Sequence, residues 1–430
     1  MALKWGIVVT IAVLAAAGLV SAQPVFDYVN RPDDVYGWEV TGERPLSSGA
    51  TMTELRLTSQ VWQGIEWRHR VQVLTPDGME YPETALLLIT GGTAGADDLS
   101  LLGTVAGMMS APVVVLGDIP NQPLFDNLSE DALIAFTFRK ALETGQTDWP
   151  LLFPMTKAAV KVMDAVEEYT QKAWEKPVRS FFVTGASKRG WTTWFTAVVA
   201  AERIVGIAPM VYDNLNLAAQ MGLHLEAWGE YSEQINDYTE LGLPELLASG
   251  KGEMLAGMVD PYTYMARATM PKLIITATND RYWPLDAAKL YFGELPEPKY
   301  ILYVPNRGHS LGDYVRVIAA QAGFFAACTG RAQLPKLEWK SEQGRHLKLH
   351  VSSDIVPLRV RQWTAWAATR DFREAQWTSR ELRPHEGKYT GRLAYPNEGF
   401  AAMFAEVVYE IEGRQMPLSS SVNIVGPRGE

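Results

Sequence analysis

Three features of this 430-residue sequence predict an α/β chain built on a mostly parallel sheet. Continuous apolar runs such as Ala85–Thr90 and Val113–Ile119 have the texture of strands covered on both faces. They alternate with segments whose apolar residues fall at helical spacing, among them Leu99–Met109 and Met155–Trp174. One run, Phe181–Val183, passes through Thr184-Gly-Ala-Ser187 directly into the apolar helix pattern Trp191–Ala200, a strand, a tight turn and a helix.

Taken in order, the chain opens with Lys4, an apolar run Trp5–Val20 and a small-residue ending Val-Ser-Ala22, which reads as a signal peptide over residues 1–22. An uncleaved anchor is the competing reading, since the run nearly spans a bilayer. Cleavage, favoured by the small-residue ending, predicts a secreted or periplasmic protein with no stable membrane insertion afterwards. Asp27–Pro45 reads as polar and irregular. Met52–Trp62 and Trp67–Leu74 alternate as antiparallel strands with one wet face, closed by the Pro76-Asp-Gly78 turn. Buried strands follow at Ala85–Thr90, Val113–Ile119, Phe181–Val183, Ile204–Tyr212, Lys272–Ala277 and Tyr300–Val304, with helices at 99–109, 131–142, 155–174 and 315–327. Residues 217–268 interrupt this alternation with acidic, aromatic, helix-like sequence in the place of a lid. From Pro335 only short strand patterns appear, so residues 335–430 read as a β-sandwich of the Ig/FnIII kind, packed against a first domain of residues 23–334.

Composition narrows the function. A net charge of −10 and a pI near 5.3 argue against nucleic acid as a partner. Cys328 is the only cysteine, so no intrachain disulfide is possible, and it reads as an inert core thiol. No metal motif is spelled, and His346 with His350 reads as a solvated strand face. Neither metal nor cofactor is expected, and a small-molecule or peptide substrate is.

The strand–turn–helix at Ser187 has the layout of a nucleophile elbow, where a strained turn pushes a serine hydroxyl into a cleft. The usual spelling is Gly-x-Ser-x-Gly; here Arg189 stands at the last glycine and Gly190 follows one place later. A serine needs a histidine to take its proton and a carboxylate to orient that histidine. Asp280 follows the strand Lys272–Ala277, and His309 follows Tyr300–Val304, in the chain order Ser, acid, His that the α/β-hydrolase plan requires. Asp213, after the strand ending at Tyr212, is the alternative acid. Ser187 and Asp280 as helix caps, and His309 as a structural histidine, are the plain alternatives. The Lys188 amide and those of Gly92 and Thr93, after the first buried strand, are candidates for the oxyanion hole. Lys188 and Arg189 set two cations beside the serine, either facing an acidic substrate or paired with lid carboxylates Glu226, Glu230 or Glu233. Arg189, Tyr282 and Trp283 are the candidate substrate contacts. Glu167-Glu168 could serve as an amine-binding pair of the dipeptidyl-peptidase kind, or simply face solvent.

The segments Trp149–Asp164, Val183–Trp191, Met210–Asn216, Asn279-Asp280 with Trp283-Pro284, Val304–Ser310, Val360–Ala365 and Arg370–Arg373 together resemble the PhoPQ-activated pathogenicity-related proteins. The resemblance implies an exported protein with the α/β-hydrolase fold and the Gly-Ala-Ser-Lys-Arg-Gly spelling, and no settled substrate. The elbow is also similar to the Gly-Cys-Ser-Arg-x-Gly of glucuronoyl esterases. The expectation is an exported serine hydrolase, with an ester favoured over a peptide bond. A non-catalytic secreted binding or signalling protein on the same scaffold is the alternative.

Overall fold

A computed structural model describes residues 23–247 and 249–428; the expected signal segment lies outside them. The chain begins with α1 (Pro24–Val29), β1 (Gly37–Pro45), β2 (Thr51–Trp62) and β3 (Ile65–Thr75). Next come β4 (Thr84–Ile89), α2 (Ala96–Met109), β5 (Val113–Leu116), α3 (Glu130–Thr144) and α4 (Leu152–Ala173). The centre holds β6 (Ser180–Ala186), α5 (Lys188–Val199) and β7 (Ile204–Met210). The segment expected to be a lid contains α6 (Leu217–Trp228), α7 (Asn236–Thr239), α8 (Leu243–Leu247) and α9 (Gly250–Val259), and then β8 (Lys272–Ala277), β9 (Lys299–Val304) and α10 (Tyr314–Cys328) follow.

Strands β5, β4, β6, β7, β8 and β9 lie side by side and parallel, and β1–β2–β3 extend the β5 edge antiparallel. The parallel strands are buried almost throughout, because helices cover both faces. One core gathers α1, α4 and α5 on one face, and a second gathers α2 and α10 on the other. α5 is buried on all sides from Lys188 to Val198, as expected of a helix in the middle of the layers.

The segment expected to be irregular, Asp27–Pro45, instead contains β1, paired with β2 from Gly37↔Thr58 to Pro45↔Thr51. From Glu39 to Pro45 every residue of β1 is exposed, so this edge strand carries no alternating apolar signal to read.

The C-terminal strands are β10 (Leu337–Glu342), β11 (Leu347–Ser353), β12 (Arg359–Ala367), β13 (Thr378–Glu381), β14 (Tyr389–Leu393), β15 (Phe400–Ile411), β16 (Arg414–Ser419) and β17 (Asn423–Val425). They form two layers: β10–β11–β14 is a separate sheet, and β16–β15–β12–β13 is the other, with β17 on β15. Leu347, Leu349 and Val351 of one layer share a core with Val360, Met403 and Ala405 of the other. The second layer runs on into the central sheet where Ser419 of β16 pairs with Ile301 of β9. Gly323 of α10 lies so close to β16 that a Cβ there would come within 2.7 Å of Met416 Cβ.

Candidate active site

Ser187 sits between β6 and α5 with φ 57° and ψ −126°, a backbone conformation that side-chain-bearing residues seldom hold. Its N–H donates to Met210 O at the end of β7 (2.9 Å), and its carbonyl accepts from Trp191 N–H (3.0 Å). The unusual spelling has a packing explanation. A Cβ at Gly185 would lie 2.7 Å from Arg189 O, and one at Gly190 would lie 2.9 Å from both Met210 O and Tyr212 Cβ. The close approach of α5 to the sheet is made through Gly185 and Gly190, so position 189 is free to carry a long side chain. Lys188 is the first residue of α5, where the N–H has no partner within the helix.

Asp280 and His309 are brought together at the ends of β8 and β9. His309 Nδ1 lies 3.0 and 2.9 Å from the two Asp280 carboxylate oxygens. Asp280 is buried and also accepts the Tyr282 N–H (2.8 Å), and the Tyr282 ring stacks on His309 with centroids 4.0 Å apart. That ring and the carboxylate fix the imidazole from two sides. His309 Nε2 is shielded from solvent and has no hydrogen-bond partner, so Ser187 and His309 are not hydrogen-bonded in this structure. Asp213 takes a different partner: Tyr291 OH donates to its Oδ1 at 2.6 Å. Burial pushes the Asp213 carboxyl up to about 7, against the Tyr291 hydrogen bond, with Asp280 and Asp286 raising it further.

Arg189, expected as a candidate substrate contact, is instead held by protein groups. Its Nε donates to Ile119 O (2.6 Å), and its two terminal nitrogens donate to the two Glu130 carboxylate oxygens, each at 2.7 Å. Lys188 Nζ lies 2.8 Å from Glu130 and 3.0 Å from Asp131. The partners are therefore the carboxylates opening α3, not those of the lid: Glu226 and Glu233 pair elsewhere, with Lys289 and Arg370 and with Arg281 and Arg373. Burial alone would raise the Glu130 carboxyl, but the Arg189 and Lys188 contacts outweigh it and hold it well below the usual carboxylate range. The Arg189 guanidinium also fills the space over Gly91, where any Cβ would collide with it. One side chain thus braces the elbow, the Gly91–Thr93 loop and the β5 loop. Sequence reading missed Glu130 and Asp131, which carry no motif, although their adjacency at a helix start was visible.

Gly92 and Thr93 pack over Gly117, whose Cβ, if present, would meet Thr93 Cγ2 at 3.0 Å and Gly92 O at 3.1 Å. Two cavities flank the serine and histidine. Tyr282 and Trp283 join Ser187, Lys188, Trp191 and Tyr212 around a cavity of about 70 Å³ closed by lid side chains such as Met221 and Leu243. Gly92, Thr93 and His309 line a second space of about 560 Å³ between α2 and α10. The lid is tied to this centre by Tyr238 OH, which donates to Asp131 Oδ1 (3.0 Å). Glu167 and Glu168 are engaged away from it, with Arg203 and with Tyr36 and Trp38.

The C-terminal region supports both loops that carry the acid and the histidine. Asn279 Nδ2 donates to the carbonyls of Phe372 (3.2 Å), Arg373 (3.1 Å) and Ala375 (2.7 Å). Asn306 exchanges two hydrogen bonds with the Trp377 backbone, at 2.9 and 2.7 Å. Arg281, next to Asp280, pairs with Glu374 and Glu233. Among the described residues, no helix is long and apolar enough to cross a membrane.

Solved structures with the α/β-hydrolase fold are similar to this chain. An acetyl xylan esterase from Paenibacillus sp. R4 superposes with a TM-score of 0.50 at 15% identity, covering 69% of this chain and 92% of that one. Acetyl xylan esterase 1 from a Thermoanaerobacterium species gives 0.47 at 16% identity, over 68% of this chain and 90% of that one. Autocrine proliferation repressor protein A of Dictyostelium discoideum is 32% identical over 440 aligned residues, spanning 92% of this chain and 88% of that protein. The sequence profile of the PhoPQ-activated pathogenicity-related proteins matches residues 25–373, and the chain belongs to that family.

Proposed function

We propose that this chain is an exported serine hydrolase that cleaves an ester through an acyl-enzyme. Ser187 is the nucleophile, His309 the general base and then acid, and Asp280 the carboxylate that holds the imidazole. The observation that carries the reading is the Asp280–His309 contact of 2.9 Å, with Tyr282 lying against His309 and lining the same cavity as Ser187, which is held in a strained elbow. The absent Ser187–His309 hydrogen bond is compatible with it, since such bonds are often long before substrate binds. The Lys188 amide, with those of Gly92 and Thr93, would hold the oxyanion, each donor being worth about 3 kcal/mol in the transition state.

An ester is favoured over a peptide because the one candidate for an amine-binding pair, Glu167-Glu168, is occupied by Arg203, Tyr36 and Trp38. A fluorophosphonate probe tests the reading. It should label the purified protein at Ser187, and Ser187→Ala should abolish labelling; an unlabelled wild-type protein would sink the proposal. The name of the Dictyostelium relative favours a second reading, a signalling protein on a hydrolase scaffold. The unlabelled outcome is the one that reading expects.

A further inference from the structure

One cavity touches Ser187 and the other touches His309, and they differ in size and in what encloses them. The lid cavity of about 70 Å³ touches Ser187 and Lys188 and is walled by the rings of Trp191, Tyr212 and Trp283. The larger space, about 560 Å³, touches His309, Ser310, Gly92 and Thr93. Its floor is Leu86 and Leu88 of β4, and its walls are Leu102 of α2 and Ile318 of α10. Three of its polar groups are engaged within the protein. Thr184 donates to Ala208 O (2.6 Å), Gln321 donates to the Met210 sulfur (3.2 Å), and Asp98 accepts the Gly95 N–H (3.1 Å). Leu101 and Tyr314 also line it, and both are exposed, at 47% and 58%.

From this geometry, and resting on the serine-hydrolase reading, we infer that the substrate is a short-acyl ester of a bulky, apolar, uncharged alcohol. The alcohol occupies the space between α2 and α10, and the acyl group lodges under the lid. The assignment follows from proton transfer. The histidine that takes the serine proton must return it to the leaving group, so the alcohol has to stand at His309. The acyl carbon stays bonded to Ser187, so its substituent belongs to the cavity at Ser187. A space of 560 Å³ falls within the range of ordinary small-molecule sites, whereas 70 Å³ admits only a few heavy atoms. The acyl half is neutral, because Glu130 and Asp131 already take the Lys188 and Arg189 charges, and the alcohol is matched to the apolar side chains that line most of the larger space.

The reaction balances without a further reagent. Ser187 Oγ adds to the acyl carbon as His309 takes its proton; the bond from carbon to the alcohol oxygen breaks, and the alcohol leaves with that proton. Water then attacks the acyl-enzyme and gives a proton to His309. The carboxylic acid departs, and Ser187 regains its hydrogen.

Octyl acetate and ethyl octanoate are isomers, so comparing them removes overall hydrophobicity from the test. The full chain should hydrolyse octyl acetate with a kcat/KM at least about tenfold above that for ethyl octanoate. Ile318→Trp and Leu102→Trp, from opposite walls of the larger space, should each lower the octyl acetate to ethyl acetate ratio. Equal rates for the two isomers, or the reverse preference, overturn the assignment. Fluorophosphonate labelling with neither isomer cleaved also overturns it and leaves the hydrolase reading standing. Neither labelling nor cleavage overturns both.

Discussion

Asp213 and Asp280 stand just beyond neighbouring parallel strands, both are almost fully buried, and only one of them meets a histidine. Asp280 faces His309 Nδ1 and accepts a backbone N–H, so its carboxylate oxygens have partners on two sides. Asp213 has one phenol, Tyr291, in otherwise dry surroundings, and burial keeps it largely protonated up to about neutral pH. The same residue type at equivalent strand ends meets a histidine in one place and a buried phenol in the other. Position along the sheet nominates an acid, and the loop that follows each strand decides which partner it meets.

The sharpest way to break this comparison is to neutralise each acid in turn. Asp280→Asn should slow fluorophosphonate labelling of Ser187 by up to about 10⁴-fold, because the imidazole loses its orienting charge and tautomer. Asp213→Asn should change labelling by less than about tenfold, and the reverse ranking would move the acid to Asp213. Stability against pH sharpens the same contrast. The folded-state value of Asp213 is raised, so the proton it binds stabilises the fold fully below the unfolded value near 3.8, and that stability is lost as pH rises to about 7. Asp213→Asn should therefore match the wild type near pH 4 and exceed it by roughly 2–4 kcal/mol at pH 8. Urea midpoints at the two pH values check this, and a constant gap would mean that Asp213 is charged in the fold.

A smaller effect tests what holds the Asp280 side in place. Asn279→Ala strands three carbonyls of residues 372–375 and should cost about 1–3 kcal/mol, read from urea unfolding, with slower labelling of Ser187. Undisturbed labelling would show that the acid loop stands without the C-terminal region. Glu130→Gln should cost less, about 1–2 kcal/mol at neutral pH. Its pair with Arg189 is bidentate, but its side chain is 40% exposed and so partly screened. Thermal melts at low and high salt would detect it, the deficit narrowing as salt rises.

Much of this was legible because it depends on local pattern. Buried strands announce themselves by unbroken apolar runs, and Ser187, Asp280 and His309 each follow such a run, so the parallel sheet and their order could be read from the chain. β1 could not be read, since an exposed edge strand such as Glu39–Pro45 has no apolar face to show. Nor could β16, which places Pro417 opposite Val408 in a strand beside β15. Asp280 could be preferred over Asp213 as the partner of His309 from the sequence but not fixed there, because both acids follow strands and only the loop paths separate them.

The family and the alternating α/β plan could be read from the chain, along with candidates for the site, since each lies in a local run of residues. Only the tertiary structure decided what the charges do. Lys188 and Arg189 could be assigned either to a substrate or to lid carboxylates until α3 brought Glu130 and Asp131 against them from more than fifty residues away. Residues 372–377 looked like part of a separate domain until they closed on Asn279 and Asn306. Ion pairs and side-chain hydrogen bonds act over a few ångströms without regard to chain separation. They leave no periodic trace in the sequence, and so they become visible only once the chain is folded.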